Sequence, residues 1–354
     1  MKNPVCFAYA PNRLPSDLRL PGRPELFDIL RCHDVTPFLT IGGETALAGQ
    51  QAQIFQLPGD TVRVAEPIDV AAIALLVNRL DRSIKPERLP GLVIPPMINE
   101  NAVRRIGYHK DLADREILEP LGYGMPTTVV VTPEDASAFA EAYQYDQYFL
   151  KPRHGNFGAG THKLDRAGLA ALFAANPDRL DKMIIQLAYD FSIPFPSSIK
   201  PLDRKTTEQF ESLNIVGNTK ELRMYGFVSP GKTRLFPAAR VLRPNLKTGK
   251  TESTWFFVDP ESIPRQVIGE SHDVLQQTAR RTGSLALYGA VDFGFGTADD
   301  NDFSWTVIEL NCLAPGMISR EQNVYVATKL QLLFADQIRS TIDELQLLPK
   351  HDII

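Results

Sequence analysis

Asp292, Glu309 and Asn311 are the residues of this 354-residue chain whose types and spacing point most directly to chemistry. They sit on two apolar, β-rich runs, 287–295 and 305–311, separated by the turn cluster Thr297-Ala-Asp-Asp-Asn-Asp302. Glu309 and Asn311 are two apart, so on a strand both side chains leave the same face. Folding the hairpin about residues 300 and 301 sets Asp292 opposite Ile308 and Glu309. Two carboxylates and an amide oxygen then converge. A small all-oxygen set suits Mg²⁺, which keeps waters and completes its shell with substrate phosphates. The expected ligand is therefore ATP with Mg²⁺.

A second feature could meet the phosphates. Lys151 ends an expected strand and runs into Pro-Arg-His-Gly155-Asn156-Phe157-Gly158-Ala-Gly160-Thr, with another strand after it. The glycines let successive N–H groups turn toward a polyphosphate and form an anion nest, and Lys151 adds a point charge. Such a loop would act as a flap over a nucleotide. Taken alone, it reads equally well as a glycine-rich hairpin with an incidental lysine.

Three competing motifs are rejected. Gly226-Phe-Val-Ser-Pro-Gly231-Lys232-Thr233 fits the P-loop pattern letter by letter. A P-loop must open a helix, however, and Thr233 leads toward Pro237, where the first helical turns should run. Asp292-Phe-Gly294 imitates a kinase metal motif, yet no HRD catalytic loop precedes it. The six histidines are scattered, with none paired at ligand spacing.

The elements that must position these residues follow a readable rhythm. Up to about residue 108 the pattern is α/β, with strands near 5–8 and 37–41, a helix around 25–33 and an apolar stretch at 71–80. From Lys110 a helix runs to Leu121, followed by a strand at 127–131 and a helix at 133–145 opened by Pro133-Glu-Asp. Strands at 147–151, 161–164 and 183–188 with a helix at 166–175 complete a small α+β unit of about eighty residues. The polar connection 190–220 either bears on substrate or is a solvated surface loop, and the general variability of loops favours the second. Strands at 221–228 and 233–241 flank the turn Ser229-Pro-Gly-Lys232. Helices at 271–282 and 325–345 surround the carboxylate hairpin.

Composition narrows the class. The chain is 44% hydrophobic and 23% charged, with a formal net charge of -4, so it has no general attraction for nucleic acid or an anionic membrane. No stretch approaches the ~20 apolar residues of a membrane span, and the N-terminus lacks the apolar core of a signal peptide. Three cysteines without paired spacing fit a reducing compartment, so a cytoplasmic protein is expected.

In chain order, the features are Lys110, Lys151 with its glycine loop, a strand ending Gln186-Leu187-Ala188, Glu221-Leu-Arg223, Arg240, Asp292, Glu309-x-Asn311 and Pro315-Gly316-Met317. This set resembles the ATP-grasp superfamily, the fold of glutathione synthetase, D-alanyl-D-alanine ligase, the glutamate ligases of ribosomal protein tails and biotin carboxylase. The resemblance covers roughly residues 75–335. It implies three parts: an N-terminal α/β pre-ATP-grasp domain (1–108), a small lid domain (109–190) and a large domain with the metal site (191–354). Nucleotide would bind between two α+β domains.

The resemblance also implies roles. Lys110 and Lys151 correspond to lysines on the α- and β-phosphates, Gly155 to Gly160 to the phosphate loop, and 185–188 to the adenine hinge. Glu221 is the best match for the acidic ribose partner. Arg223 and Arg240 resemble arginines that hold the γ-phosphate or an acyl phosphate, and Asp292, Glu309 and Asn311 match the Mg²⁺ ligands. Apart from the resemblance, Arg320, just after Pro315-Gly-Met-Ile-Ser, is a candidate contact for a substrate carboxylate. Asn78-Arg79 and residues 93–101 look like the segment before the first lysine in the ribosomal-tail ligases. Ala290 departs from the arginine that D-alanyl-D-alanine ligases carry two residues before the first metal ligand.

The expected activity is an ADP-forming ligase joining a carboxylate to an amine, on an amino acid or peptide, through an acyl phosphate. An ATP-dependent kinase or a non-catalytic ATP-binding protein are the alternatives. Oligomeric state stays open, a homo-oligomer included.

Overall fold

The computed structural model describes residues 3–9, 23–41, 51–52, 54–56, 63–79, 95–99, 101–153, 161–175, 183–244, 251–296, 303–312 and 320–347. The first sheet takes the order β5-β4-β2-β1-β7-β8, built from β1 (Pro4–Tyr9), β2 (Thr36–Ile41), β4 (Phe55–Gln56), β5 (Arg63–Val64), β7 (Leu75–Arg79) and β8 (Met97–Ile98). β1 pairs in parallel with β2 and β7, and β7 with β8. β3 (Gln51–Ala52) and β6 (Ile68–Asp69) form a separate pair. Val5, Phe7, Leu75 and Val77 are almost fully buried, as near-continuous apolar runs in parallel strands should be.

The second sheet is antiparallel in the order β11-β10-β12-β9, from β9 (Thr127–Val130), β10 (Tyr148–Pro152), β11 (His162–Leu164) and β12 (Met183–Leu187). Helices Pro133–Tyr143 and Arg166–Ala175 supply Phe139, Ala140, Leu169 and Phe173 to its core. Thr132 and Asp135 form a reciprocal capping box that fixes where the first of these helices begins. That helix stops at Tyr143, two residues short of expectation, because Gln144 turns left-handed at φ 45°.

Lys110 lies in a helical run of three parts: Lys110–Ala113, a π turn Asp114–Leu118, and Glu119–Leu121. Pro120 cannot donate to the carbonyl four residues back, which accounts for the widened turn just before it. Gly122, at φ 73°, ends the run and donates to the Glu119 carbonyl at 2.9 Å.

The third sheet is antiparallel in the order β15-β14-β13-β16-β17: β13 (Thr219–Ser229), β14 (Lys232–Pro244), β15 (Thr251–Phe257), β16 (Leu287–Gly296) and β17 (Ser304–Asn311). Alternation assigns its two faces. Leu222, Met224, Ala239, Phe256, Val291 and Leu310 point to a core completed by Val267, Val274 and Leu275 of helix Arg265–Thr282. Tyr225, Phe227, Phe236, Phe257 and Tyr288 point the other way, against Leu330, Phe334 and Ile338 of helix Arg320–Leu347 and against Phe7 and Phe27. Each large apolar side chain buried there contributes about 1.5–3 kcal/mol.

Several expectations need correcting. The connection 190–220 is not a solvated loop: it holds the helix Thr207–Leu213 and buries Phe191, Phe195, Ile199 and Phe210. The fully buried Lys220 fastens it, donating to the carbonyls of Ser192 (3.0 Å), Ile215 (2.6 Å) and Asn218 (2.6 Å). β15 is a strand that the sequence reading lacked. The helices expected at 271 and 325 begin earlier, at Arg265 and Arg320.

Candidate active site

The carboxylate hairpin forms, with one change in register. Asp292 pairs with Glu309 and Ala290 with Asn311, but Phe293 pairs with Val307, which leaves Ile308 as the extra residue of a bulge. Asp292 is therefore opposite Glu309 alone, and the bulge shifts the phase of burial. Trp305 and Val307 are buried before it and Leu310 after it. Glu309 and Asn311 are thereby turned to the face that carries Asp292.

That face continues as a charged band across β14, β13, β16 and β17, with Trp255 of β15 at its edge. Trp255, Arg240 and Glu221 lie in one cross-strand row, and Arg223, Asp292 and Glu309 in the next. Arg223 grips Asp292 with two parallel bonds, Nε to Oδ1 at 2.6 Å and a terminal nitrogen to Oδ2 at 2.7 Å. Arg240 reaches Glu221 at 3.3 Å, and the Asn311 amide donates to Asp292 Oδ2 at 2.7 Å. Burial works against the charged form of Arg223, yet the Asp292 pair outweighs it and holds the guanidinium pKa well above its ordinary value. Burial, then the nearby Asp292 charge, pushes the Glu221 carboxyl up, against the pull of Arg240 and Arg223.

The two lysines meet this band from the other side of the cleft. Lys110 Nζ lies 3.7 Å from Glu309. Lys151 hydrogen-bonds the buried Gln186 side chain, and burial lowers its pKa, opposed first by the Glu309 charge. Arg153, two residues on, holds Asp111 through two bonds of 2.7 Å each, which fixes the helix of Lys110 against the strand of Lys151. The Lys110 backbone N–H also donates to the Arg153 carbonyl at 3.4 Å. Burial opposes the charged Asp111, but Arg153 prevails and lowers its pKa.

Sequence reasoning missed Asp114, four residues after Lys110 and on the same helical face. Burial raises its carboxyl to about 7, opposed by Lys151 and a bond with Thr127 and reinforced by Glu309 and Asp111. Helical spacing from Lys110 was the available signal. A cavity of ≈ 600 Å³ opens beside this helix, lined by Asp111, Asp114, Tyr123, Met125 and Thr127. None of Lys110, Lys151, Arg223, Arg240, Asp292 or Glu309 lines it; the cations and oxygen donors converge on the band instead.

The donor set fits a hard divalent cation. Among the described residues no group of three or more His, Cys, Asp or Glu comes together, so Asn311 is needed alongside Asp292 and Glu309. A carboxylate has about four acceptor positions. Arg223 takes two on Asp292 and Asn311 one, whereas Glu309 meets Lys110 at the longer distance of 3.7 Å.

Other expected residues fall as follows. Gln186 and Leu187 close β12, and Ala188 follows it with its N–H on the Gln147 carbonyl at 3.1 Å. The glycine loop, with Gly155, Asn156, Phe157, Gly158 and Gly160, and the Pro315-Gly316-Met317 segment lie outside the described residues. Arg320 opens the last helix, and its side chain lies outside them too. The P-loop look-alike is a strand–turn–strand: Gly226 is in β13, Gly231 in the turn at φ 70° and Thr233 in β14.

No protein-family profile matches the sequence, and no curated protein matches it. Solved structures do. The ATP-grasp ligase PsnB complexed with minimal precursor superposes with a TM-score of 0.58 at 14% identity, over 96% of this chain and 100% of that one. VanG D-Ala:D-Ser ligase from Enterococcus faecalis gives 0.60 at 11%, over 97% and 100%. The D-cycloserine synthetase DcsG gives 0.57 at 17%, over 96% and 99%. The chain has the ATP-grasp fold along nearly its whole length.

Proposed function

We propose that this chain is an ATP-dependent, ADP-forming ligase that joins a carboxylate to an amine through an acyl phosphate. One observation carries the reading: four cations and an all-oxygen donor set share one cleft, with Lys110 and Lys151 facing the band of Arg223, Arg240, Asp292, Glu309 and Asn311. Parts 1–108, 109–190 and 191–354 would be its domains.

A carboxylate and an amine do not condense in water, because the leaving oxygen departs poorly. Phosphorylating the carboxylate creates a good leaving group, and the protein's share is positioning and charge neutralisation. Lys110 and Lys151 would hold the inner phosphates. Arg223 and Arg240 each give one guanidinium edge to a carboxylate and keep further N–H groups for the transferring phosphoryl. Mg²⁺ held by Asp292, Glu309 and Asn311 would neutralise charge on the phosphates.

For the substrates we favour an amino acid or a peptide, in line with the D-Ala:D-Ser ligase among the structural neighbours. Ala290 is fully buried, so no arginine reaches a reacting carbonyl from that position, which speaks against a D-alanyl-D-alanine ligase. Among the described residues no helix is long and apolar enough to cross a membrane. The test is incubation with ATP, Mg²⁺ and pools of amino acids and peptides while ADP, AMP and phosphate are measured. Amine-dependent release of ADP and phosphate is expected. A phosphorylated product without phosphate release would make the chain a kinase, and nucleotide binding without turnover would make it a non-catalytic binder.

A further inference from the structure

Trp255 has no part in the reading above, yet its ring lies against both arginines of the band. The Arg223 guanidinium carbon is 5.3 Å from its centroid and that of Arg240 is 5.4 Å. We propose, resting on the nucleotide reading given above, that Trp255 is a positioning residue that sets both guanidinium planes so that their remaining N–H edges converge on the γ-phosphate.

The register explains how one ring reaches both. Trp255 is directly opposite Arg240, while Arg223 is one strand further on, opposite Ala238. A methyl group at Ala238 leaves space above the sheet, and a large ring beside it can fill that space toward Arg223. Trp255 is 6% exposed and belongs to the apolar cluster that includes Phe236 and Phe257, so its own position is fixed by packing. It is the ring of that cluster in the same cross-strand row as Arg240 and Glu221, at the edge between core and charge.

A guanidinium donates its hydrogen bonds in its own plane and offers a flat face to an aromatic ring. Stacking therefore fixes the plane without consuming a donor. Asp292 holds one edge of Arg223 through two bonds and Glu221 holds one terminal nitrogen of Arg240, and the indole fixes the tilt that those pairs leave free. Among the described residues the buried Arg240 Nε meets no hydrogen-bond acceptor, so within them a donor of this pair is still unspent.

The test compares binding of Mg·ATP and Mg·ADP by calorimetry, because the arginine pair should contribute only when a γ-phosphate is present. Trp255→Leu is expected to lower the preference for ATP over ADP by about tenfold while leaving ADP affinity unchanged, and Trp255→Phe, which keeps a ring, should retain most of it. An unchanged preference in Trp255→Leu, or an equal loss in both variants, overturns the assignment. Failure of the unmodified protein to bind either nucleotide would instead remove the nucleotide site on which it stands. A second measurement uses the native ring. The chain has two tryptophans, so in Trp305→Phe only Trp255 emits. Its fluorescence should respond more strongly to Mg·ATP than to Mg·ADP, and an equal response to both would contradict the proposal.

Discussion

The Arg223–Asp292 pair is both a part of the site and a structural commitment. Both side chains are largely buried, so removing one charge strands the other in a poor solvent for it. Asp292→Asn should therefore lower stability by about 3–5 kcal/mol, read from the urea midpoint, in addition to abolishing turnover. An unchanged midpoint would mean that the pair is not buried as described. Lys220 offers a pH test. Burial lowers its pKa to about 8, with the Asp190 charge opposing, whereas the unfolded chain keeps the ordinary lysine value near 10.4. Between these values the unfolded chain holds the extra proton, so stability should rise as pH climbs from 8 toward 10. Lys220→Met should flatten that rise and, by leaving three carbonyls unpaired, cost about 2–3 kcal/mol.

At the scale of elements, the rejected P-loop gives a sharp test. Lys232 is exposed in a hairpin turn, so Lys232→Ala should leave Mg·ATP affinity within about twofold, where a true P-loop lysine would be indispensable. Gly226 has a different reason to be glycine. A methyl group there would lie 2.0 Å from Leu275 Cδ1, so Gly226→Ala should lower the thermal midpoint through a packing cost of about 1–3 kcal/mol. The hairpin itself was legible because Ser229-Pro-Gly-Lys232 is a strong turn between two apolar runs. β15 was not, since its first four residues, Thr251-Glu-Ser-Thr, are polar and only the last three are apolar. The bulge at Ile308 could not be read either, because it exists only in the pairing of β16 with β17. The 190–220 connection hid its packing among prolines that broke any periodic signal, although Phe191, Phe195 and Phe210 all turned inward. The candidate residues that the fold brings together were legible by type and order. Asp114 was within reach of helical spacing from Lys110, whereas the Arg223–Asp292 and Arg240–Glu221 pairs, Arg153 and Trp255 were not legible, because each depends on contacts between distant segments.

For the whole molecule, the polar site and the main core are two ends of one sheet face. The long helix Arg320–Leu347 covers the apolar end and ties it to the first sheet, and the charged end faces Lys110 and Lys151. Asn99 is the joint between the first and third sheets. Held at φ 59°, it donates to the Tyr288 carbonyl at 2.9 Å and accepts from the Tyr288 N–H at 2.8 Å, beside a strand-like bridge from Ile98 to Ala286. Asn99→Ala should cost about 1–3 kcal/mol in denaturant unfolding while leaving the nucleotide residues intact. The central claim, that the cleft clamps a nucleoside triphosphate through a divalent cation, is tested most directly by titrating ATP with and without Mg²⁺ into the native protein and into Glu309→Gln. The native protein should bind ATP far more tightly with Mg²⁺, and the variant, folded to the same thermal midpoint, should lose most of that gain. ATP affinity indifferent to Mg²⁺, or a variant that keeps the full gain, would contradict the account.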